Sequence, residues 1–458
     1  MGVGNQANPM QSMVFFFTMI LVFIRFSMIH QLQTQVMGVN LYLLYIFGIP
    51  TLLGILATGG LKRAYDRRPG LYWTLFGIWL LICIPFSTWK GGSAPVVITY
   101  LRTDLIMLFV VAGGTVTWRD CRRLMGAIAL AAVVSLAAAR LFSNVDSNDR
   151  MQLTFGTVSN SNDYAGHLIL VLPFLIWVIL SGQKFFYKMS AVFLLAFGFY
   201  TVLATASRGA LIAMTVGVIY SLIAANVRQK ISIMLVVGVM LVLGLTMVSQ
   251  RTLQRLTSFS DDNGSLAEAR ESSNSRKYLL EKSIQYAVEH PLFGVGPGQF
   301  NVYEGGQSRK QGQLGMWHDT HNSFTQVASE DGFPALIFFV AGIVSPMLLL
   351  NRVYRAAKGK PEFREMAATA FCLLLAMISF SAVIFFLNFA YFFYLPAMAG
   401  LAIAVSRAAD EEFKKAALAG SAPAAVQPAM PWQPQRIGPR RTAPAPFAPP
   451  VGPPSRLR

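Results

Sequence analysis

Residues 12–30 read SMVFFFTMILVFIRFSMIH, an apolar run long enough to cross a hydrocarbon core of roughly 30 Å as one helix. No basic segment precedes the run, no small-residue cleavage site follows it, and a second apolar run begins at once, so it is expected to stay as the first membrane helix. Comparable runs recur at 37–58, 71–88, 98–116, 124–142, 165–181, 187–205, 209–226, 231–249, 333–350, 367–388 and 391–407. They imply about twelve transmembrane helices. The bulk numbers agree: the 458 residues are 54% hydrophobic and 13% charged, and the mean hydropathy of +0.50 is beyond what a soluble domain of this size carries. The expected fold class is an all-α polytopic membrane protein with one large, partly helical extracytoplasmic loop.

The formal charge of +17 does not point to nucleic acid, because the basic residues form no stripe with interleaved aromatics. They fall instead in alternate connections: Lys62, Arg63, Arg67 and Arg68; Arg119, Arg122 and Arg123; Lys184 and Lys188; Arg228 and Lys230; then Arg352 to Arg364 and the tail with Lys414 and Lys415. By the positive-inside rule both termini are cytoplasmic. Of the three cysteines, Cys83 and Cys372 lie in apolar runs and Cys121 in a short basic loop. That is neither a disulfide framework nor a metal site.

The expected organisation is therefore a membrane part over 1–249, an extracytoplasmic loop over 250–332, a second membrane part over 333–407 and a cytoplasmic tail over 408–458. The tail is rich in Pro and Ala, cannot bury a core and is expected to be disordered. No internal repeat of the kind common in transporters is visible.

In the loop, Tyr278, Leu280, Ile284, Ala287 and Val288 recur at helical spacing behind the polar Ser272–Ser275 stretch, predicting one amphipathic helix that ends at His290-Pro291. The glycines Gly294, Gly296 and Gly298 follow in a turn-rich segment. Such a segment is either a structural turn or, if its backbone N–H groups point into a site, a phosphate cradle. A second short helix is expected from Asn322 to Glu330, stopping at Asp331-Gly332 before the next span.

In order, the chain carries Ser207-Arg208-Gly209 between two spans, Arg276 before the loop helix, HPLFGVGPGQF over 290–300 and HNSFTQVASEDG over 321–332. This order resembles the O-antigen ligase and polymerase superfamily, and the span layout over 12–407 resembles it too. The resemblance implies a GT-C-type glycosyltransferase that takes its saccharide from an undecaprenyl-diphosphate-linked glycan donor at the periplasmic face of the bacterial inner membrane. The acceptor would be lipid A core, a growing glycan or a protein. No nucleotide sugar or other cofactor is implied.

Arg208 stands at a helix start near the outer head groups, where a guanidinium fork and the helix dipole both favour a diphosphate; the alternative is an arginine snorkelling to lipid phosphates. Arg276 matches the superfamily's loop arginine better than Arg270, which lies between Glu268 and Glu271. Arg102, in the fourth span with Asp104, is a third diphosphate candidate, or is paired within the bundle. His321 matches the superfamily's loop histidine and suits acceptance of a proton near neutral pH. His318, His321 and Asp319 make a thin zinc site, so no metal is expected. Ser207, the three glycines, Asn322 and Glu330 are expected to support the site. Asn160, Asn162 and Asp163 suit sugar hydroxyls or, for Asp163, a helix cap. Ligase, polymerase and protein O-oligosaccharyltransferase share the donor motifs and differ in the acceptor. A transporter would place its polar groups near mid-membrane instead.

Overall fold

The computed structural model describes residues 9–146, 149–250, 252–253, 267–312 and 314–421. Most of the Pro/Ala-rich tail, and with it the expected disorder, lies outside the described residues, as do the side chains of 267–273 and hence Arg270. The chain divides into two units, Met1–Glu412 and Phe413–Arg458; of the second, only the end of the last helix is described.

The first half comprises α1 (Pro9–Ser27), α2 (Ile29–Met37), α3 (Leu43–Ala57), α4 (Gly60–Ala64), α5 (Arg68–Cys83), α6 (Lys90–Thr99), α7 (Ile106–Gly114), α8 (Trp118–Phe142) and α9 (Ser161–Leu180). The second comprises α10 (Phe185–Ala204), α11 (Arg208–Ala224), α12 (Val227–Met247), α13 (Ala267–Glu289), α14 (Phe300–Lys310), α15 (Ser323–Ala357), α16 (Arg364–Val383) and α17 (Tyr394–Ser421). Each apolar run expected to span falls on a helix. Among the described residues nine helices are long and apolar enough to cross a membrane, and α3 and α11 are shorter apolar helices. The chain is an α-helical, multi-pass membrane protein. A small hairpin departs from this, pairing β1 (Ser143–Val145) with antiparallel β2 (Met151–Leu153).

Helix α16 packs against α9, α11 and α15, while α1 packs on α3 and α8, and α5 on α15. Trp73, Phe76, Phe339, Trp177 and Phe380 are fully enclosed between them. Trp177 Nε1 finds a partner inside this apolar bundle, as a buried donor away from water needs, donating to Thr369 Oγ1 at 2.9 Å. By contrast α12 buries only Gly244, against Leu203 and Phe199 of α10, and turns the rest of its apolar surface outward as a lipid-facing helix does.

The connections sort to two ends. At one, Arg63 donates to Gly113 O and Thr58 O, Arg407 to Arg63 O and Ala112 O, Arg67 and Arg352 both reach Asp410, and Arg122 pairs with Glu365. The Arg63 and Arg407 guanidiniums satisfy carbonyls that helix ends leave open, while Arg67, Arg352 and Arg122 pair with carboxylates. At the other, Thr88 N donates to Val295 O at 3.0 Å, Arg150 Nε to Thr205 O at 3.1 Å, Gln31 Nε2 to Thr157 Oγ1 at 3.0 Å and Ser323 Oγ to Leu387 O at 2.7 Å. This second, loop end carries the long 250–332 segment.

Within that segment the expectations need two corrections. The first loop helix begins at Ala267, so Arg276 lies well inside α13 rather than before it or in its first turn. Ala267-Glu268-Ala269-Arg270-Glu271 are strong helix formers with no apolar period to reveal them. Helix α14 was not expected at all, since Gly305-Gly306 opposes helix by propensity; it is held by tertiary contacts. The expected Asn322 helix is present. It is capped by Asn322, whose Oδ1 accepts from Phe324 N and Thr325 N at 2.9 and 3.1 Å, and breaks at Gly332 (φ 81°, ψ 175°) before continuing as the span.

A candidate site at the loop end of the bundle

The glycine segment is fastened by one carboxylate. Glu330 is 3% exposed, and its Oε2 accepts from Gly298 N at 3.0 Å while its Oε1 accepts from Phe300 N at 3.2 Å. Val295 N and Gly296 N donate to the carbonyls of Ser329 and Glu330. Of the two readings of the glycines, the structural turn fits better, because these amides donate to the Glu330 carboxylate and to the Ser329 and Glu330 carbonyls. Gly294 and Gly296 have φ of 62° and 116°, and a Cβ there would overlap the Glu330–Asp331 peptide and Ser87 respectively. Phe293, between Trp79 (5.8 Å) and Phe86 (3.9 Å), stacks on both rings and pins the segment to α5.

Tyr391 OH lies 2.7 Å from Glu330 Oε2 and 2.8 Å from Asp331 Oδ2. A phenol has one proton, so it can donate to only one of these acids, and the other must hold a proton of its own. Trp79 Nε1 donates to Asp331 O at 3.0 Å. The helix break at Gly332 is thus held by α5 on one side and by the α16–α17 connection on the other.

A second buried carboxylate positions the following stretch. Glu304, 0% exposed on α14, accepts from Tyr278 OH at 3.0 Å and Ser308 Oγ at 2.8 Å through Oε1, and from Met316 N and Trp317 N at 3.2 and 3.3 Å through Oε2. Trp317 packs over Gly305, where a Cβ would meet its ring. This close approach is what the glycine in α14 permits.

His321 follows, with φ 50°, a left-handed conformation costly for most residues and tolerated best by Gly, Asn and Asp. It is half-buried, whereas His318 is exposed. Burial first, then the charge of Arg276, then His318, push the His321 imidazole down to about 4, so the ring is neutral at pH 7. The same Arg276 guanidinium acts on Asp163 in the first turn of α9, which also senses Asp319. Asn388 Nδ2 donates to Asp319 Oδ2 at 2.7 Å; burial raises this carboxyl above its usual range, partly offset by that hydrogen bond and by His318. His321, Arg276, Asp163 and Asp319 therefore form one electrostatic group, drawn from α13, α9 and the 314–322 segment.

Arg208 is the first residue of α11, half-buried, behind a buried Ser207 that makes no side-chain cap. Its neighbour Gly209 packs on Phe386, next to Leu387, whose carbonyl accepts from Ser323 Oγ. Arg150, which sequence reasoning passed over, bridges Thr205 O at 3.1 Å and Asn162 Oδ1 at 2.8 Å, linking this helix start to the α9 start. The α9 cap is Asn160, whose Oδ1 accepts from Asn162 N at 2.8 Å, and Asp163 is left to face Arg276. Arg102 is exposed and sits over the Tyr45 ring at 5.8 Å, while Tyr100 on the same turn faces Tyr391. Asp104 pairs with Arg25 at 2.6 Å, so the two ionisable residues of this span take different partners. Asn322 serves as a helix cap.

Residues 191–340 match the family described as O-antigen ligase. That interval contains Arg208, Arg276, the glycine segment, His321 and Glu330, while Asp163, Asn388 and Tyr391 lie outside it. No curated protein matches the chain. On this match and on the helices around it, the chain is a multi-pass membrane protein that carries an O-antigen ligase family domain at residues 191–340.

Proposed function

We propose that this protein is an O-antigen ligase-type glycosyltransferase of the bacterial inner membrane, moving a glycan from undecaprenyl diphosphate to an acceptor hydroxyl. The loop end faces the periplasm and both termini the cytoplasm, with the basic end inside as the charge rule requires. The observation that carries the reading is the family match over residues 191–340, which takes in Arg208, Arg276 and His321; the charge of Arg276 acts on the half-buried His321 and favours its neutral form. A neutral imidazole can accept a proton, and an arginine next to it can neutralise a departing diphosphate.

In the proposed step the acceptor oxygen attacks the anomeric carbon, that carbon's bond to the diphosphate oxygen breaks, and the acceptor proton passes to His321. Undecaprenyl diphosphate leaves with its charge held by Arg276 and Arg208, and the anomeric configuration inverts. Guanidinium forks match phosphate oxygens in bidentate fashion and supply the stabilisation that a cation would otherwise give, so the mechanism uses no metal. Asp163 and Asp319 position Arg276 and the histidine segment. Lipid A core is the preferred acceptor, in keeping with the description of the matched family. Purified protein given lipid-linked donor and lipid A core should form the joined product and lose that activity with His321→Asn. Transfer to another glycan or a protein only, in the same assay, would replace the ligase reading.

A further inference from the structure

A cavity of about 340 Å³ opens at the loop end between α2, the start of α3 and the segment after β2, within the size range of small-ligand sites. Its wall is built deliberately: Gln31 donates to Thr157 Oγ1 at 3.0 Å and accepts from Thr157 N at 3.1 Å, fixing the 155–157 segment against α2. Asn40 Oδ1 accepts from Tyr42 N at 2.8 Å and sets the turn into α3. Tyr42 has φ 52° and is 62% exposed. Tyr45, 6.2 Å away by ring centroid, lines the cavity with it, as do Phe155 and Gln35. Among the described residues that line it, His30 is the one titratable side chain besides the tyrosines, and the Arg102 guanidinium lies behind the Tyr45 ring at 5.8 Å.

Neutral amides and hydroxyls facing aromatic rings recognise one kind of ligand well, a neutral polyhydroxylated ring with polar edges and apolar C–H faces. The cavity is also close to the transfer site. From Thr157 in its wall to Asp163 beside Arg276 the chain is six residues long, so the two are separated by at most about 22 Å. We infer that this cavity is a saccharide-binding subsite that holds sugar residues several units away from the bond being exchanged. The inference rests on the transferase reading above. The sugars belong either to the donor glycan or to a glycosylated acceptor, and the chemistry on the cavity wall is the same for both.

The test replaces Tyr42→p-benzoylphenylalanine in the full-length protein, irradiates cells that make the envelope glycoconjugates, and identifies the adducts by mass spectrometry. A sugar-bearing adduct supports the subsite. If mild acid, which splits glycosyl diphosphates, releases polyprenyl diphosphate from it, the glycan is the donor's; if acyl chains stay with the sugar, it is the acceptor's. Adducts with phospholipid or polypeptide only, or no adduct, would overturn the inference. A kinetic arm uses Gln35→Ala combined with Tyr45→Ala. KM for the substrate that carries the bound glycan, donor or acceptor, should rise about tenfold with kcat nearly unchanged, as loss of uniform binding requires, while the same substrate cut back to a single sugar should react normally. Unchanged KM in this variant for both the long-glycan donor and the glycosylated acceptor would overturn the subsite and leave the transferase reading standing. Loss of transfer from His321→Asn alone bears on that reading and not on the cavity.

Discussion

Asn388 donates to Asp319 across 2.7 Å, tying the segment that carries His321 to the connection between the last two spans. Ser323 makes a second tie at the same place, donating to Leu387 O and accepting from Phe389 N at 2.7 and 2.8 Å. The histidine is thus held from both sides, by Glu304 through Met316 and Trp317 and by the α16–α17 connection. A site for which a misplacement of about 1 Å is costly needs such support.

His321→Asn tolerates the left-handed backbone but cannot accept a proton at neutral pH. It should insert and bind lipid-linked donor normally while transfer falls by about 10²–10⁴-fold. The same change at exposed His318 should cost far less. Donor binding and product formation measured separately decide it; normal turnover of the His321 variant would sink the proposed role.

The pH dependence follows from the lowered His321 value. The ring is neutral above about pH 4 in the free protein, so kcat/KM should show no histidine limb between pH 8 and 5 and should fall only as pH approaches 4. A bound diphosphate offsets the Arg276 charge and favours the imidazolium, so the acid limb of kcat should lie at higher pH than that of kcat/KM. Arg276→Gln should raise the free-enzyme limb. A limb near the ordinary histidine value in both profiles, unmoved by that substitution, would contradict the electrostatic grouping.

Arg276→Lys keeps the charge and loses the fork, so transfer should drop by about tenfold or more. Arg355→Lys, at the basic end, should leave transfer near normal. Comparable activities of the two variants would remove the bidentate contact from the mechanism.

Glu330→Gln leaves one of the Gly298 and Phe300 amides facing a donor instead of an acceptor, a loss of about 1–3 kcal/mol of local stability. Gly294→Ala forces a Cβ into the Glu330–Asp331 peptide at φ 62°. Both should insert in the membrane yet expose the 290–322 region to limited proteolysis. Wild-type protease resistance in both would mean that the glycine turn is not an anchor.

The helices were legible because their signal is local: each apolar run falls on a helix, although of the twelve expected spans nine among the described residues are long and apolar enough to cross a membrane. The short helix expected from Asn322 to Glu330 and its stop at Asp331-Gly332 are both present, with Asn322 itself as the cap. The partners were not legible, because they meet across the fold. Asp163 reads as a partner for sugar hydroxyls or as a helix cap until Arg276 is brought to it from more than a hundred positions away. Glu304 and Asp319 carry no motif, and their function as anchors exists only once α14 and the α16–α17 connection are packed. Arg276 was found by motif but set at the wrong place in its helix, since 267–271 has helix formers without apolar period. Arg102 was singled out for charge at depth, which does not say which face of the span it takes.

Reporter insertions test the orientation. Gln311-Gly312 is an exposed turn, better suited than the buried Gly305 against Trp317, and should read as periplasmic; Gly359, in the exposed turn before α16, should read as cytoplasmic. Finding both on one side would overturn the map.

The decisive measurement is single-turnover transfer by the purified full-length protein, with defined undecaprenyl-diphosphate-linked glycan and lipid A core, alongside donor binding by the same preparation. The proposed mechanism predicts joined product and free undecaprenyl diphosphate in equal amounts from the wild type. From His321→Asn it predicts undiminished donor binding with transfer lowered by about 10²–10⁴-fold. Product formed at the wild-type rate by the His321 variant, or binding and transfer lost together, would contradict it.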